Sequence, residues 1–207
     1  DADMLADAGF NAVGIDNGNR TNVWPNRRHP ERFLLANGKH LPFPAATFDG
    51  VFCGCVFPHV GVVGDSTEVS VGYYQDRLGL AKEMSRVLKP GGRIVVSSPN
   101  RLFPFDIFHG RQPGSYKPQF HWPTDPFLLS VGDYRRMFQE AGCDRAEAQP
   151  VDGYWGFIRA GHSWKGYLLS LPVRFLFWLA SQPAIRFARS WPLNPWIVVL
   201  IEKDARA

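Results

Sequence analysis

The sequence predicts an α/β domain with a mainly parallel sheet, and three observations support that class. Short apolar runs rich in Val, Ile, Leu and Phe alternate with helical segments along the 207 residues. These runs are bounded by Gly, Pro, Asn and Asp, which are typical of turns. Hydrophobic residues make up 45% and charged residues 20% of the chain, so it can build a core and is not a disordered tail.

Hydrophobic periodicity gives the elements in order. Apolar positions three and four residues apart predict helices, whereas short continuous apolar runs predict buried parallel strands. The predicted helices cover residues 2–9, 73–88, 130–141, 163–180 and 183–189. The predicted strands cover residues 10–16, 32–36, 50–57, 93–98, 145–150 and 196–201. Ser130 is expected to cap its helix, and Gly9 and Gly142 are expected to end theirs. A Lys-Pro-Gly-Gly cluster at 89–92 is expected to stop the second helix.

Composition excludes several classes of protein. The apolar run at 167–180 is interrupted by Pro172 and Arg174, so it is too short to span about 30 Å of hydrocarbon. The three cysteines do not form a disulfide framework and fit a reducing, cytoplasmic compartment. The formal net charge of +4 is too weak to indicate nucleic acid as a partner.

Polar and small residues follow four of the predicted strands. These positions are Asp16, 37–38, 54–55 and 98–100. In open α/β sheets, ligands bind outside the carboxyl ends of the strands, at the point where the strand order reverses. The four positions are therefore expected to converge on one rim of the sheet.

Four stretches of the sequence resemble the class I S-adenosylmethionine-dependent methyltransferases, in particular the small-molecule group called type 11. They are Ala12-Val13-Gly14-Ile15-Asp16, Leu41-Pro42-Phe43 with Phe48-Asp49-Gly50-Val51, Val56-Phe57-Pro58-His59-Val60, and Arg86-Val87-Leu88-Lys89-Pro90-Gly91-Gly92-Arg93-Ile94. The resemblance covers residues 1–100. It implies a Rossmann-like, doubly wound sheet and S-adenosyl-L-methionine as cofactor. The family's first strand and its Gly-rich loop have no counterpart here, which predicts that the complete protein begins some tens of residues earlier.

The resemblance also assigns residues to the adenosine part of the cofactor. Asp16, with Asn17 beside it, would accept hydrogen bonds from both ribose hydroxyls. A solvated loop carboxylate is the alternative for Asp16. Asn37 stands where the family has an acidic residue that contacts the adenine amino group, and Gly38 would present its N–H to the ring. A plain Asn-Gly turn explains this pair almost as well.

Gly54 and Cys55 occupy the place where a backbone carbonyl of the family meets the methionine amino group. The Cys53-Gly54-Cys55 sequence also raises the question of a metal. Thiols one residue apart in a strand point to opposite faces, and the chain has no second cysteine pair, so no zinc site is expected here. Core cysteines are the simpler interpretation.

Two histidines are candidate catalytic residues. His59 matches a histidine of the family, although Pro58 replaces the usual Glu. A structural role, in which His59 bonds the loop backbone, is the favoured alternative. His109 follows the fourth predicted strand of this chain and could act as a general base toward a hydroxyl or enol nucleophile. A surface histidine is the alternative for His109. Methyl transfer from a sulfonium mainly requires alignment and exclusion of water, so no triad is needed.

The chain is predicted to divide by role. Residues 1–102 would form the cofactor-binding α/β core, and 103–207 would supply an aromatic-rich helical lid and the last strands of the same domain. Ring-rich composition in the second part predicts a small-molecule or lipid-linked acceptor, and not nucleic acid. Five positive charges without Asp or Glu at 159–191 are also compatible with peripheral contact with a membrane.

Two other functions are consistent with parts of the sequence. A nicotinamide-dependent short-chain reductase or epimerase would share the Val13–Asn17 pattern. Those enzymes need Tyr and Lys four residues apart, and none of the six tyrosines has Lys at that position. A non-catalytic α/β remnant that binds a membrane surface or a partner protein would explain the basic aromatic segment. The identity of the acceptor and the oligomeric state stay open.

Overall fold

The chain starts with a short helix that leads into a small parallel sheet. In this computed structural model, residues 2–18, 21–64, 66–106, 109, 119–151 and 164–205 are described. Helix α1 (Ala2–Asp7) ends at a turn where Gly9 has φ +88°. Strands β1 (Gly14–Asp16) and β2 (Phe33–Leu35) then pair in parallel, joined by two 3₁₀ turns. Both strands are shorter than the predicted 10–16 and 32–36.

A four-stranded sheet forms the body of the domain. Its strands are β3 (Phe48–Gly54), β4 (Leu88–Pro99), β7 (Arg145–Ala148) and β8 (Trp196–Glu202), in the order β3-β4-β8-β7. The β3–β4 pair is parallel, and β8 runs antiparallel to both of its neighbours. The first sheet, β1–β2, has no ladder to this one among the described residues.

Two helices cover the sheet and form the core with it. Helix α2 (Tyr73–Val87) and helix α3 (Val131–Glu140) contact each other, and their apolar residues pack on β4 and β8. The fully buried core side chains include Ala81, Met84, Tyr134, Met137, Phe138, Ile94, Val96, Ile197 and Val199. Ser130 caps α3 as predicted, and its hydroxyl and the Asp133 carboxylate form a reciprocal capping box.

Two further predicted strand boundaries are wrong, the first for a local reason and the second for a long-range one. The third strand was expected to reach Phe57, but it ends at Gly54 because Cys55 adopts φ +52° and a 3₁₀ turn (Phe57–His59) follows. The Lys-Pro-Gly-Gly cluster does end α2, yet it lies inside β4, which begins at Leu88. Leu88 pairs with Phe48, and the register then shifts before Gly50 pairs with Arg93.

The carboxyl-terminal part of the chain supplies the remaining helical structure. Helix α4 (Trp164–Ser181) contains Pro172, and a 3₁₀ segment (Pro183–Ser190) follows it. A two-residue hairpin ladder, β5 (Phe105–Asp106) with β6 (Gln119–Phe120), precedes α3. Among the described residues, no helix combines the length and the apolar character needed to cross a bilayer.

Candidate functional site

The carboxyl ends of β3 and β4 meet at one edge of the main sheet. Gly54 pairs with Ser97, and the Cys55 N–H donates a 2.7 Å hydrogen bond to the Ser97 carbonyl. Cys55 has φ +52°, a left-handed conformation that is uncommon for a residue other than glycine. Such strained backbone is concentrated at functional sites, and here it turns the chain toward the 3₁₀ segment that carries His59.

Three side chains beyond these strand ends form a hydrogen-bonded series. The Nδ1 atom of His109 lies 2.8 Å from Oδ2 of Asp106, and the His109 backbone N–H donates to Oδ1 of the same carboxylate at 3.1 Å. The Nε2 atom of His109 lies 3.2 Å from Nε2 of His59. Asp106 is buried whereas His59 is exposed, so the series runs from the interior to the surface.

The Asp106 carboxylate therefore fixes the tautomer and orientation of the His109 ring. A carboxylate that accepts from Nδ1–H leaves Nε2 as the nitrogen that can take a proton or a ligand. This is the arrangement that the predicted base role of His109 needs. That role stays a prediction, and the same holds for a catalytic role of His59. Phe127 packs edge-on against both imidazoles, with centroid distances of 5.1 Å to His109 and 6.2 Å to His59.

A buried arginine fixes the backbone around His59 and around Phe127. Arg77 of α2 donates hydrogen bonds to the carbonyls of Val60 and Pro58 on one side, and to those of Pro126 and Phe127 on the other. Its exposed fraction is only 2%. Since His59 lies between Pro58 and Val60, the guanidinium fixes the backbone of His59 and of Phe127 together.

A cavity of about 310 Å³ adjoins this group of residues. Its lining includes Asp106, Phe120, His121, Phe127 and Leu128. The Nε2 atom of His121 is buried and has no hydrogen-bond partner within the described chain. An unpaired buried polar atom costs free energy, and a polar group in the cavity would remove that cost.

Exposed aromatic rings surround the cavity on the β5–β6 side. Phe105 contacts Phe120, and Phe120 contacts Trp122, with centroid distances of 5.8 and 5.1 Å. All three side chains are about half exposed or more. The sequence predicted an aromatic-rich segment over residues 103–207, and these three rings belong to it. Tyr154 and Trp155 of that segment lie outside the described residues.

The cysteines of this edge differ in environment. Burial raises the pKa of the Cys53 thiol to about 12, so Cys53 is a protonated core residue. Cys143 is buried too, and desolvation raises its pKa. Cys55 is half-buried at the edge itself. The expectation that Cys53 and Cys55 are core cysteines is thus met by Cys53 but not by Cys55.

The residues assigned to the adenosine lie at the other, two-stranded sheet. Asp16 ends β1, and its Oδ1 accepts the Gly18 N–H at 2.9 Å, which orders the loop after the strand. Its Oδ2 has no hydrogen bond to a described residue, so the carboxylate fits a ribose hydroxyl donor. Asn17 is exposed beside it. These residues are compatible with S-adenosyl-L-methionine, and their assigned role stays a prediction.

The Asn37-Gly38 pair forms the turn that the sequence left as an alternative. The Asn37 side-chain oxygen accepts the Lys39 N–H at 3.0 Å, and its carbonyl accepts the His40 N–H. Gly38 packs against α2, because a Cβ atom there would lie 2.9 Å from Cδ1 of Leu80. Tight turn geometry therefore accounts for both residues, while their predicted adenine contacts stay untested.

Sequence reasoning missed three residues of this region, namely Asp106, Arg77 and His121. A signal existed for two of them. Asp106 precedes His109 by three residues, a spacing at which the side chains can meet. Arg77 shares helical spacing with Ala81 and Met84 of the apolar face of α2. No sequence signal distinguishes His121 from an ordinary surface histidine.

Known proteins resemble this chain in sequence and in fold. Residues 2–96 match the family described as Methyltransferase domain. A protein of Mycolicibacterium smegmatis named "Probable S-adenosylmethionine-dependent methyltransferase" is 30% identical over 146 residues, which cover 68% of this chain and 46% of that protein. The chain therefore spans less than half the length of that relative.

Solved structures add support for the fold alone. The complex of the Haloferax volcanii Trm112 methyltransferase activator with a methyltransferase gives a TM-score of 0.56 at 17% identity, covering 97% of this chain and 76% of that chain. A SAM-dependent methyltransferase from Methanosarcina mazei gives 0.52 at 14% identity, covering 97% and 85%. The predicted Rossmann-like α/β class and the predicted family cofactor are confirmed. The chain belongs to the class I S-adenosylmethionine-dependent methyltransferases.

Proposed function

We propose that the protein transfers a methyl group from S-adenosyl-L-methionine to a small-molecule or lipid-linked acceptor. The observation that carries the proposal is the cavity beside the Asp106–His109 pair, which the Asp106 side chain helps to line. Its volume of about 310 Å³ suits a small molecule or the end of a larger one.

The cofactor supplies an electrophilic methyl group on a sulfonium. The protein's task is to bind an acceptor nucleophile in line with that group and to exclude water. His121 and Phe127 line the cavity in which the acceptor would bind, and the Phe127 ring provides an apolar wall. The acceptor forms a bond to the methyl carbon, the carbon–sulfur bond breaks, and the acceptor proton leaves to a base or to water.

A labelled-methyl experiment tests this function. The complete protein is incubated with methyl-labelled cofactor and a fractionated cell extract. We expect label in small-molecule or lipid fractions, and loss of that transfer in a variant whose cavity is filled, such as Leu128→Trp. Leu193→Trp, at a 70% exposed position, is the matched control. Label that enters only RNA, DNA or protein would contradict the proposed acceptor class.

Asp16→Ala is expected to weaken cofactor binding about 10- to 100-fold, as estimated from the loss of hydrogen bonds to a charged group. The removed carboxylate is the group that would accept from the ribose. Titration calorimetry of the complete protein with the cofactor measures the effect. The control is Asp49→Ala, which removes an exposed carboxylate near the amino end of β3. Equal affinities in the Asp16 variant and the parent would contradict the assignment.

The carboxyl-terminal helix offers a surface for presenting a lipid-linked acceptor. Exposed rings and aliphatic side chains line α4, among them Trp164, Leu168, Leu171, Phe175 and Trp178. Phe187 and Trp191 of the following segment are half exposed as well. Soluble proteins seldom expose a contiguous apolar surface of this kind without a binding partner for it.

Charge selects an anionic membrane as the partner of this surface. Residues 164–191 contain Lys165, Arg174, Arg186 and Arg189 and no Asp or Glu. An apolar helix with basic residues and interfacial aromatics can lie in the plane of an anionic bilayer. We therefore propose that α4 and the segment to Trp191 attach the protein peripherally to such a surface, near the acceptor. Residues 159–163 of the predicted contact segment lie outside the described residues.

Vesicle sedimentation measures this attachment. The protein is expected to bind vesicles that contain anionic phosphatidylglycerol and to bind pure phosphatidylcholine at least several-fold more weakly, because each basic residue near the surface contributes about 1 kcal/mol. Phe175→Ala with Trp178→Ala should weaken binding, whereas Trp122→Ala on the cavity side should not. Binding that ignores lipid charge and salt, or concentration-dependent dimerisation through α4, would contradict the proposal.

A further inference from the structure

Three metal-binding side chains come together from separate parts of the chain. Cys55 follows β3, His59 ends the next 3₁₀ turn, and His109 follows the β5 strand. One donor atom from each lies within 4.8 Å of the other two. The sequence predicted no metal because the Cys53-Gly54-Cys55 pair points to opposite faces. That reasoning did not include two histidines brought to the same place by the fold.

The spacing of the donors matches a metal centre. The two imidazole Nε2 atoms are 3.2 Å apart. Two nitrogens on one tetrahedral zinc, each at about 2.0–2.1 Å, would be separated by about 3.3 Å. A thiolate at about 2.3 Å from the same ion would lie about 3.6 Å from each nitrogen. The Cys55 sulfur lies within 4.8 Å of a nitrogen of each ring.

The surroundings hold the ligands as metal sites require. The Asp106 carboxylate accepts from Nδ1 of His109, and Nε2 of that ring faces Nε2 of His59. A carboxylate behind a ligating histidine is the usual outer contact of zinc sites. Arg77 fixes the carbonyls on both sides of His59, so its backbone position is set before any ion binds. Phe127 packs against both imidazole rings.

We propose that Cys55, His59 and His109 bind one zinc(II) ion, with Asp106 as the outer partner of His109. A set of one thiolate and two imidazoles favours zinc over magnesium or calcium, which prefer oxygen ligands. Three protein ligands leave a fourth position open, which is the pattern of reactive and not of structural zinc sites. The group at that position would be water or a donor atom of the acceptor, since Asp106 and Phe127 also line the cavity.

A hydrogen bond between the two imidazoles is the competing explanation. It accounts for the 3.2 Å distance but does not involve the Cys55 sulfur, which lies within 4.8 Å of a nitrogen of each ring. The two explanations also give Nε2 of His109 different roles. A nitrogen bound to zinc cannot act as the general base that takes a proton from the methyl acceptor, whereas a nitrogen that is free of metal can. The zinc proposal goes beyond methyl transfer, and its failure would leave the proposed function standing.

Metal content and cobalt spectroscopy test the site on protein that carries no polyhistidine tag. After treatment with zinc and removal of excess metal, we expect one zinc per chain. With Co(II) in its place, we expect d–d bands of tetrahedral intensity and a near-ultraviolet charge-transfer band from the thiolate. Cys55→Ser should remove the charge-transfer band, and His59→Ala should reduce the metal content to near zero.

Matched variants distinguish this site from adventitious zinc binding elsewhere on the protein. Cys143→Ala and His40→Ala, which lie outside the group, should retain one zinc per chain. Asp106→Asn should lower zinc affinity about 10- to 100-fold while leaving the three ligands in place. Circular dichroism of each variant verifies that it folds, and His59→Gln replaces His59→Ala if the latter does not. Absence of stoichiometric zinc, or zinc unaffected by Cys55→Ser and His59→Ala, would overturn the proposal.

Discussion

Arg77→Ala is expected to lower the free energy of unfolding by about 3–5 kcal/mol. The guanidinium is 2% exposed and donates to four backbone carbonyls, at 3.0 Å (Val60), 2.7 Å (Pro126), 3.3 Å (Pro58) and 2.9 Å (Phe127). Each carbonyl left unpaired and buried costs about 1–3 kcal/mol, although solvent entering the gap will recover part of it. The removed side chain also leaves a cavity against Tyr73, whose ring it covers.

Chemical denaturation of the variant and the parent measures the loss. Arg136→Ala is the matched control, because this arginine is on a helix, pairs with Asp133 and is well exposed. Exposed ion pairs contribute about 0–1 kcal/mol, so the control should unfold close to the parent. Arg77→Lys should be nearly as unstable as the alanine variant, since an ammonium group cannot reach carbonyls on two separate loops. Equal stabilities of the Arg77 and Arg136 alanine variants would contradict this account.

The second large effect is expected at Gly61, two residues beyond His59. Gly61 has φ +73°, and a Cβ atom built on it would lie 2.5 Å from the Cα atom of Tyr73. That contact is with backbone, so no side-chain rotation can relieve it. Gly61→Ala should therefore cost about 2–5 kcal/mol, of which about 1–2 arises from the left-handed conformation and the rest from overpacking.

Gly64→Ala provides the internal control for this prediction. Gly64 has φ +62°, in the same loop, but nothing lies within 4 Å of its added Cβ. Its substitution should cost only about 1–2 kcal/mol, the conformational part alone. Thermal unfolding of both variants measures the difference. If the two variants lose the same stability, the close approach to Tyr73 does not contribute.

Local signals explain what the sequence predicted well. Ser130 caps α3 because its hydroxyl reaches the Asp133 N–H three residues on, a relation contained within one turn. Gly142, with φ +83°, follows the same helix for an equally local reason. The resemblance to the family also depends on short sequence segments and on their order along the chain. These features need no knowledge of the tertiary structure.

Long-range contacts explain what the sequence could not predict. The start of β4 at Leu88 depends on its pairing with Phe48, forty residues earlier in the chain. The cluster at His59 depends on a hairpin that returns His109 to it. His121 is special only because the fold buries its Nε2 without a partner. Each of these features depends on which residues are close in space, and the sequence pattern alone does not give those distances.

The position of β8 between β4 and β7 has a consequence for the order of folding. Arg93 of β4 and Arg145 of β7 both lie opposite Glu202 of β8, so neither strand has this neighbour until residues 196–202 have been synthesised. Pairings between such distant segments close long loops and slow the folding of a domain. During synthesis, the inner edges of β4 and β7 remain open to other strands, including those of neighbouring nascent chains. We therefore expect the nascent protein to need chaperones during biosynthesis, although β4 and β7 are both paired with β8 in the folded structure.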